Sequence, residues 1–316
     1  MHQEMLSVFT SIKLSADEKG LVLTPDDFWK IARARGGYAH LAGDDSEIQR
    51  AIDGLFSGSI SSSPRPAYSL SASPKKSRRK TLEKTPEQIK KWTDNAESFI
   101  ALHRGSVEAI DILEASPIKP PPEKGFITAC ETLFKPEEGV AVVTGLSERN
   151  IVKSPAEWRK FYASGHRVRS KLGGWWRINP IRLEGGTGEN GSCCDVDVTA
   201  YRYALLENDQ LPIALQLGIL AYLPLPIVSI VDSAGKSLHA LVRLEGEITD
   251  KPTFKDKAET ILDELHERFG YDRCNTNPSR MSRLPDGWRD IKRREDSDGN
   301  QKILFLAKNR EAKAIL

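Results

Sequence analysis

The sequence has few of the features that mark secreted, membrane or zinc-binding proteins. It holds only four cysteines, Cys130, Cys193, Cys194 and Cys274, with no CxxC spacing. An adjacent cysteine pair does not easily form a disulfide, so the thiols are expected to be ordinary side chains in a reducing compartment. Residues 1–56 carry no zinc-ligand pattern, so no zinc module is expected.

Two kinds of apolar segment are also missing. No run of 18 apolar residues occurs, and the first 20 residues lack a basic start followed by an apolar stretch. Neither secretion nor membrane spanning is therefore expected. The net charge is only +2, so the total charge neither indicates nor excludes nucleic-acid binding.

The chain is long enough, at 316 residues and 39% hydrophobic content, for one large domain or two modest ones. Residues 1–56 read as a small helical module, and 57–85 as a Ser/Pro-rich basic linker. The linker contains a cluster of Lys75, Lys76, Arg78, Arg79 and Lys80. This cluster either contacts a phosphate backbone or is a solvated tether. In the first case, neutralising it should flatten the salt dependence of DNA binding.

The third region, 86–316, has the patterns of an α+β domain. Helical patterns at 86–118 are followed by a short buried strand in "GVAVVTGL" and a capped helix in "SPAEWRKFYASG". From "TAYRYALLEND" to Gly270 the order is strand, helix, strand, strand, helix. We expect a partly antiparallel sheet with helices on one face.

The segment "SAGKSLH", Ser233–His239, contains a Gly-Lys-Ser that suggests a phosphate-binding P-loop. A P-loop needs a glycine where this chain has Ile230, and a helix after it. Here alternating apolar residues follow, which predict a strand. The segment is therefore expected to be a turn between two strands. Such a turn is either plain surface or a phosphate site using exposed backbone amides, Lys236 and the Ser233 and Ser237 hydroxyls.

Two other clusters carry charge. Glu207 and Asp209 are two apart at a predicted strand end, which would project both from one face. Asp272 follows the last predicted helix, and Arg280 and Arg283 lie in "NPSRMSRLP". Arginines suit bidentate contacts to phosphate.

Together these segments resemble the archaeo-eukaryotic primase (AEP) superfamily, in particular the primase-polymerases of phages and plasmids. The resemblance covers "LLEND", "SAGKSLH", Asp272 with "NPSRMSRLP", and the lead-in "RINPI" and "DVDVTAYRYALLE", over about 175–289. It implies an AEP-type catalytic domain over 86–316, with an RRM-like mixed or antiparallel sheet packed by helices.

The resemblance also implies a function: a DNA primase or polymerase that makes or extends primers on single-stranded DNA in a mobile element. Glu207, Asp209 and Asp272 would hold two Mg²⁺ or Mn²⁺ ions, and no zinc is expected. Phosphates of a dNTP or NTP would be bound by a second group of residues. This group comprises Ser233, Gly235, Lys236, Ser237, His239, Arg280 and Arg283, with His239 also counted as catalytic. The enzyme is expected either to stand alone or to act beside a separate replicative helicase, and the expected setting is the cytoplasm of a prokaryotic or phage-infected cell.

Two positions depart from the family pattern. The subgroup more often has glycine at Ala234, and often "PG" where this chain has Pro285-Asp286. A positive φ at Ala234 would be expected to impair nucleotide binding. Two alternatives stay open: a catalytically inactive AEP-fold DNA-binding replication or defence protein, and a metal-dependent nuclease using the same acids. Trp175, Trp176 and Tyr201 either stack on bases or, for at least two of them, pack in the core.

Overall fold

We analysed a computed structural model of the chain, which describes residues 84–103, 105–144, 150–289, 294 and 297–316. All of them belong to one compact unit, Leu82–Leu316. The predicted helical module at 1–56 and the basic cluster of the linker lie outside the described residues. The proposed division of the chain into module, linker and domain therefore stays a prediction.

The described unit is an α+β fold, as predicted. Its six α-helices are α1 (Pro86–Ala101), α2 (Ala109–Ala115), α3 (Gly125–Leu133), α4 (Pro155–Ala163), α5 (Ile213–Tyr222) and α6 (Lys251–Phe269). Its strands are β1 (Val140–Val143), β2 (Ile151–Lys153), β3 (Arg169–Ser170), β4 (Trp175–Arg177), β5 (Tyr203–Glu207), β6 (Ile227–Asp232), β7 (Leu238–Arg243), β8 (Met281–Arg283), β9 (Trp288–Arg289) and β10 (Ile303–Leu306).

The central sheet has the order β10-β6-β7-β5, and all its neighbours are antiparallel. Strand alternation sends Ala204 and Leu206 of β5 into a core formed with α1, α5 and α6. Tyr203 and Leu205 point the other way, into a second core. The helices expected on one face are therefore present, and the other face of this sheet is buried as well.

The second core lies between the central sheet and a second antiparallel sheet, in the order β2-β1-β4-β8. Helices α3 and α4 complete this core with buried aromatic residues, among them Phe126 and Trp158. A short parallel pair, β3 and β9, stands apart from both sheets. The two antiparallel sheets thus face each other.

Two of the elements that the sequence analysis did not predict depend on distant partners. Helix α3 begins at Gly125 without a side-chain cap from its own N-cap residue, Lys124. Its amide at Phe126 is instead bound by the Asp286 carboxylate, 3.1 Å away and distant in sequence. Strand β10 forms an edge of the central sheet beside β6, although it is near the C-terminal end of the sequence. Neither long-range partner can be read from a local pattern.

One end of α4 and one end of α6 follow local rules. Ser154 caps α4 and forms a reciprocal capping box with Glu157, and Gly270 ends α6 at φ +77°. The Trp92 ring packs against this turn so closely that a β-carbon on Gly270 would lie 2.5 Å from Cε3. Among the described residues, no helix has the length and apolar character needed to span a membrane.

Candidate active site

The site begins where β5 ends. The strand was expected to run through "TAYRYALLEND", but it covers only Tyr203–Glu207. Asn208 ends it: its buried Oδ1 accepts hydrogen bonds from the amides of Gln210 and Leu211, at 2.9 and 3.1 Å. The chain therefore turns immediately after Glu207.

This turn also joins β5 to the end of α6. Asn208 Nδ2 donates to the carbonyl oxygen of Phe269 at 2.8 Å, and Gly270 then reverses the chain. The amide of Asp272 donates to the carbonyl oxygen of Glu207 at 2.9 Å. Two of the three predicted acids, far apart in sequence, are thus adjacent through their main chains.

Glu207 faces His239 across the sheet, since the two residues are register partners of β5 and β7. The His239 ring is buried, and its Nε2 lies 3.3 Å from Glu207 Oε1. On the other side, the amide of Arg283 donates to Nδ1 at 3.3 Å, and Ser282 Oγ lies 3.4 Å away. Because Nδ1 accepts from Arg283, we assign the ring proton to Nε2, which is directed at Glu207.

The Glu207 carboxylate is held in its charged form. Burial is the largest single effect and would raise the pKa of Glu207, whereas electrostatic attraction to His239 and the hydrogen bond with this ring lower it. Arg280 and Arg283 add to this effect, and the pKa falls to about 2. Glu207 therefore presents an ionised oxygen ligand at neutral pH.

The third acid, Asp209, does not join this pair directly. It is exposed and lies beyond the strand end. Within the described residues, no group of three His, Cys, Asp or Glu side chains is close enough to hold a metal ion. The donor chemistry nevertheless fits Mg²⁺ or Mn²⁺, which prefer carboxylate oxygens. Mg²⁺ often uses only one or two carboxylates together with substrate phosphates, so a preformed cage of three is not required.

Two arginines border the acids. Arg280 Nη2 lies 3.6 Å from Asp272 Oδ2, and both side chains are about one-third or more exposed, at 35% and 41%. The Arg283 guanidinium lies over the Trp175 ring, 4.4 Å from its centroid. Its Nη1 donates to the carbonyl oxygen of Leu172 at 2.9 Å. The site thus combines two carboxylates with two fixed cations.

Residues of the two lead-in segments hold the arginine-bearing chain in position. Buried Asn179 donates to the carbonyl oxygens of Tyr203 and Pro278, both at 2.9 Å, and so ties the start of β5 to "NPSR". Asp195 accepts a hydrogen bond from the amide of Ser279 at 3.2 Å and is paired with Lys251 at 2.7 Å. The sequence analysis quoted these segments but gave Asn179 and Asp195 no role.

The "SAGKS" segment is the predicted turn between antiparallel strands, β6 and β7. Most of its amides, expected to be exposed, are instead bonded in or beside the turn. Asp232 accepts from the amide of Ala234 at 2.8 Å, and Ser233 Oγ accepts from those of Gly235 and Ser237, at 3.2 and 3.4 Å. Small buried residues fold the turn onto itself. Within this segment Lys236 is exposed, so its ammonium group is accessible from solvent.

Side chains from outside the turn bind its carbonyl oxygens. Gln216 of α5 donates to the Lys236 carbonyl at 2.9 Å and accepts from the amide of Leu238 at 2.8 Å. Arg289 and Arg294 donate to the carbonyls of Ser233 and Gly235, each at 3.4 Å. Arg294 also pairs with Asp232 at 2.8 Å. These partners come from distant parts of the chain, so the sequence analysis missed them.

Both departures from the family pattern occur at positive φ, where glycine is the favoured residue. Ala234 has φ +52° and Asp286 has φ +58°. Asp286 offsets its strain by capping α3. Burial raises the pKa of its carboxyl, although the hydrogen bond from the Phe126 amide acts in the opposite direction. The methyl group of Ala234 has no comparable role, so the positive φ for which weaker nucleotide binding was expected is present.

We expect Ala234→Gly to stabilise the protein, because glycine adopts this backbone conformation without steric cost. The free energy of unfolding should rise by about 1 kcal/mol, or the melting temperature by about 2–4 °C. Asp286→Gly is the matched control at nearly the same φ, and it should lower the melting temperature because α3 loses its cap. A melting temperature of Ala234→Gly equal to or below that of the parent would contradict the strain at Ala234.

Three aromatic residues were considered for base stacking. Trp176 is fully buried in the core between the sheets, and Tyr201 packs on Phe254 with ring centroids 5.9 Å apart. Trp175 is half-buried beneath Arg283. The expectation that at least two of them pack in the core is confirmed.

Comparisons with known proteins give one distant match. No protein-family model matches the chain, and no curated protein matches it significantly. Among solved structures, the chain is similar to the AEP domain of the primase-polymerase of cyanophage S-2L. The two share 16% sequence identity and a TM-score of 0.37, over 58% of this chain and 90% of that domain.

Proposed function

We propose that this chain is a template-directed nucleotidyltransferase, a DNA primase or polymerase that makes or extends primers on single-stranded DNA. The observation that carries the proposal is the main-chain hydrogen bond from Asp272 to Glu207. It joins two acids of separate motifs, and it does so beside Arg280 and Arg283. The order of motifs and their resemblance to AEP primase-polymerases support the same proposal.

The acids would hold Mg²⁺ or Mn²⁺. Glu207 and Asp272 are the proposed primary ligands, and Asp209 would join them once nucleotide is bound. The ions would lower the pKa of the attacking 3′-hydroxyl and neutralise charge on the leaving group. His239 positions the Glu207 carboxylate, since its Nε2–H is directed at that oxygen.

The cations of the site would bind the triphosphate. Arg280 and Arg283 are proposed to neutralise charge that builds in the transition state, and Lys236 to meet a phosphate at the turn. Ser233 and Gly235 would act indirectly, because the Ser233 hydroxyl already accepts two amides of the turn. The Ser237 hydroxyl is proposed as a further phosphate donor. Replication of a mobile element is the proposed setting, and nothing in the comparisons supports a helicase partner.

One experiment separates this proposal from its two alternatives. Purified protein is incubated with single-stranded DNA, labelled dNTPs or NTPs, and Mn²⁺ or Mg²⁺, and the products are separated by length. We expect short products that vanish with EDTA. Shortening of the input strand without synthesis would indicate the nuclease, and binding without either reaction would indicate the non-catalytic protein. Both of these outcomes contradict the proposal.

A further inference from the structure

Trp288 is an exposed tryptophan that has no role in the proposed reaction. Its exposed fraction is 44%, whereas Trp92, Trp158 and Trp176 are buried. Tryptophan is a large apolar residue, and leaving its ring in water forgoes the stabilisation that burial gives. A single exposed apolar residue is ordinary on a protein surface, so the case for a binding surface depends on the residues around this indole.

The backbone around Trp288 is held on both sides. Strand β9 pairs with β3 in parallel, with Trp288 opposite Arg169, and Trp288 also forms a bridge with Asn300. The amide of Arg289 donates to the carbonyl oxygen of Gly299 at 2.9 Å. The indole is therefore presented from a fixed backbone, which lowers the entropy lost when a ligand binds it.

Side chains connect this strand to the candidate active site. Arg289, the next residue, donates to the carbonyl of Leu172 at 3.2 Å and to that of Ser233 in the nucleotide-site turn at 3.4 Å. Arg283 also donates to the Leu172 carbonyl, while its own amide bonds His239. Arg289 thus connects β9 to the turn from the buried side of the strand, and the indole of Trp288 lies on the other, exposed side.

Two exposed residues that follow β3, and one on the turn, combine apolar and basic character. Leu172 is 37% exposed, Lys171 is exposed next to it, and Lys236 is exposed on the turn that Arg289 binds. An aromatic face with flanking positive charge matches single-stranded nucleic acid, whose bases stack and whose phosphates are negative. Duplex DNA has no bases free to stack, so it fits this surface less well.

We propose that Trp288 is a stacking platform for a base of single-stranded DNA, with Lys171 binding the adjacent phosphate. The DNA strand would pass over β3 and β9 toward Arg283 and the acids. This inference rests on the proposed function, which it deepens by giving the template a position beside β3 and β9.

The test measures binding of the full chain to labelled oligo-dT by fluorescence anisotropy, without nucleotide or divalent ions. Trp288→Ala should bind about 5- to 150-fold more weakly than the parent, the loss expected for one stacked base. Trp288→Phe should recover most of the affinity, because it keeps an aromatic face. Ile110→Ala, which removes another exposed apolar side chain, should bind as the parent does.

An abasic oligonucleotide of equal length and charge separates stacking from charge. The parent and Trp288→Ala should bind the abasic oligonucleotide equally. Lys171→Ala should weaken binding to both the abasic oligonucleotide and oligo-dT. Equal affinity of Trp288→Ala and the parent for oligo-dT would overturn the proposal. So would an equal loss on the abasic strand, or a loss explained by a change in oligomeric state on gel filtration. Because no synthesis is measured, failure of the proposed catalysis leaves this test intact.

Discussion

Glu207→Gln or Asp272→Asn should reduce primer synthesis by at least about a thousandfold, or about 4 kcal/mol in the activation free energy. Each change removes a negative oxygen ligand while keeping the size of the side chain. The new amide oxygens keep the local hydrogen bonds, from the Nε2–H of His239 in the first variant and from the amide of Cys274 in the second. Binding of single-stranded DNA should stay within about twofold of the parent, since phosphate contacts elsewhere are intact.

Two comparison variants make this result specific. Glu264→Gln changes an exposed acid on α6, paired with Arg268, and should leave synthesis unchanged. Asp209→Asn tests the third acid: a loss like that of Glu207→Gln would make it a ligand in the complex with nucleotide. Full activity of Asp209→Asn would contradict the prediction of three carboxylate ligands. Full activity of Glu207→Gln would remove the basis of the proposed function itself.

Variants of His239 and Lys236 should separate positioning of the acid from binding of phosphate. The side-chain oxygen of an asparagine at this position lies near the place of Nδ1, so His239→Asn keeps an acceptor for the Arg283 amide but loses the donor to Glu207. We expect kcat to fall by about 10- to 100-fold with little change in KM for nucleotide. The amide of a glutamine reaches the position of Nε2, so His239→Gln should keep more of the activity.

Lys236→Ala should give the opposite pattern. Its exposed ammonium group is proposed to meet phosphate, so its loss should raise KM and lower kcat/KM by about ten- to a hundredfold. The measurement is steady-state incorporation at varied nucleotide concentration, with melting temperatures as the check on folding. If His239→Asn instead raises KM and spares kcat, His239 is a phosphate ligand, as the family resemblance implies, and does not position Glu207.

Local patterns were sufficient wherever the information lies in neighbouring residues. Period-two alternation after Ser237 predicted that the Gly-Lys-Ser segment is a turn between strands, and β6 and β7 confirm it. Capping residues predicted the start of α4 at Ser154 and the end of α6 at Gly270. Each of these features depends on bond geometry and hydrogen bonds within a few residues, which an isolated segment already contains.

Other features depend on partners that the fold brings from far along the chain. The amide of Asp272 reaches Glu207 only because Asn208 binds the end of α6. Most amides of "SAGKS" are bonded in or beside the turn, and Arg289 and Gln216 donate to two of its carbonyls. Hydrogen-bond donors and acceptors buried in a fold must find partners, but a local pattern cannot say which distant residue supplies them. The sequence therefore established which residues could act, and the packing of two facing sheets decided which of them meet.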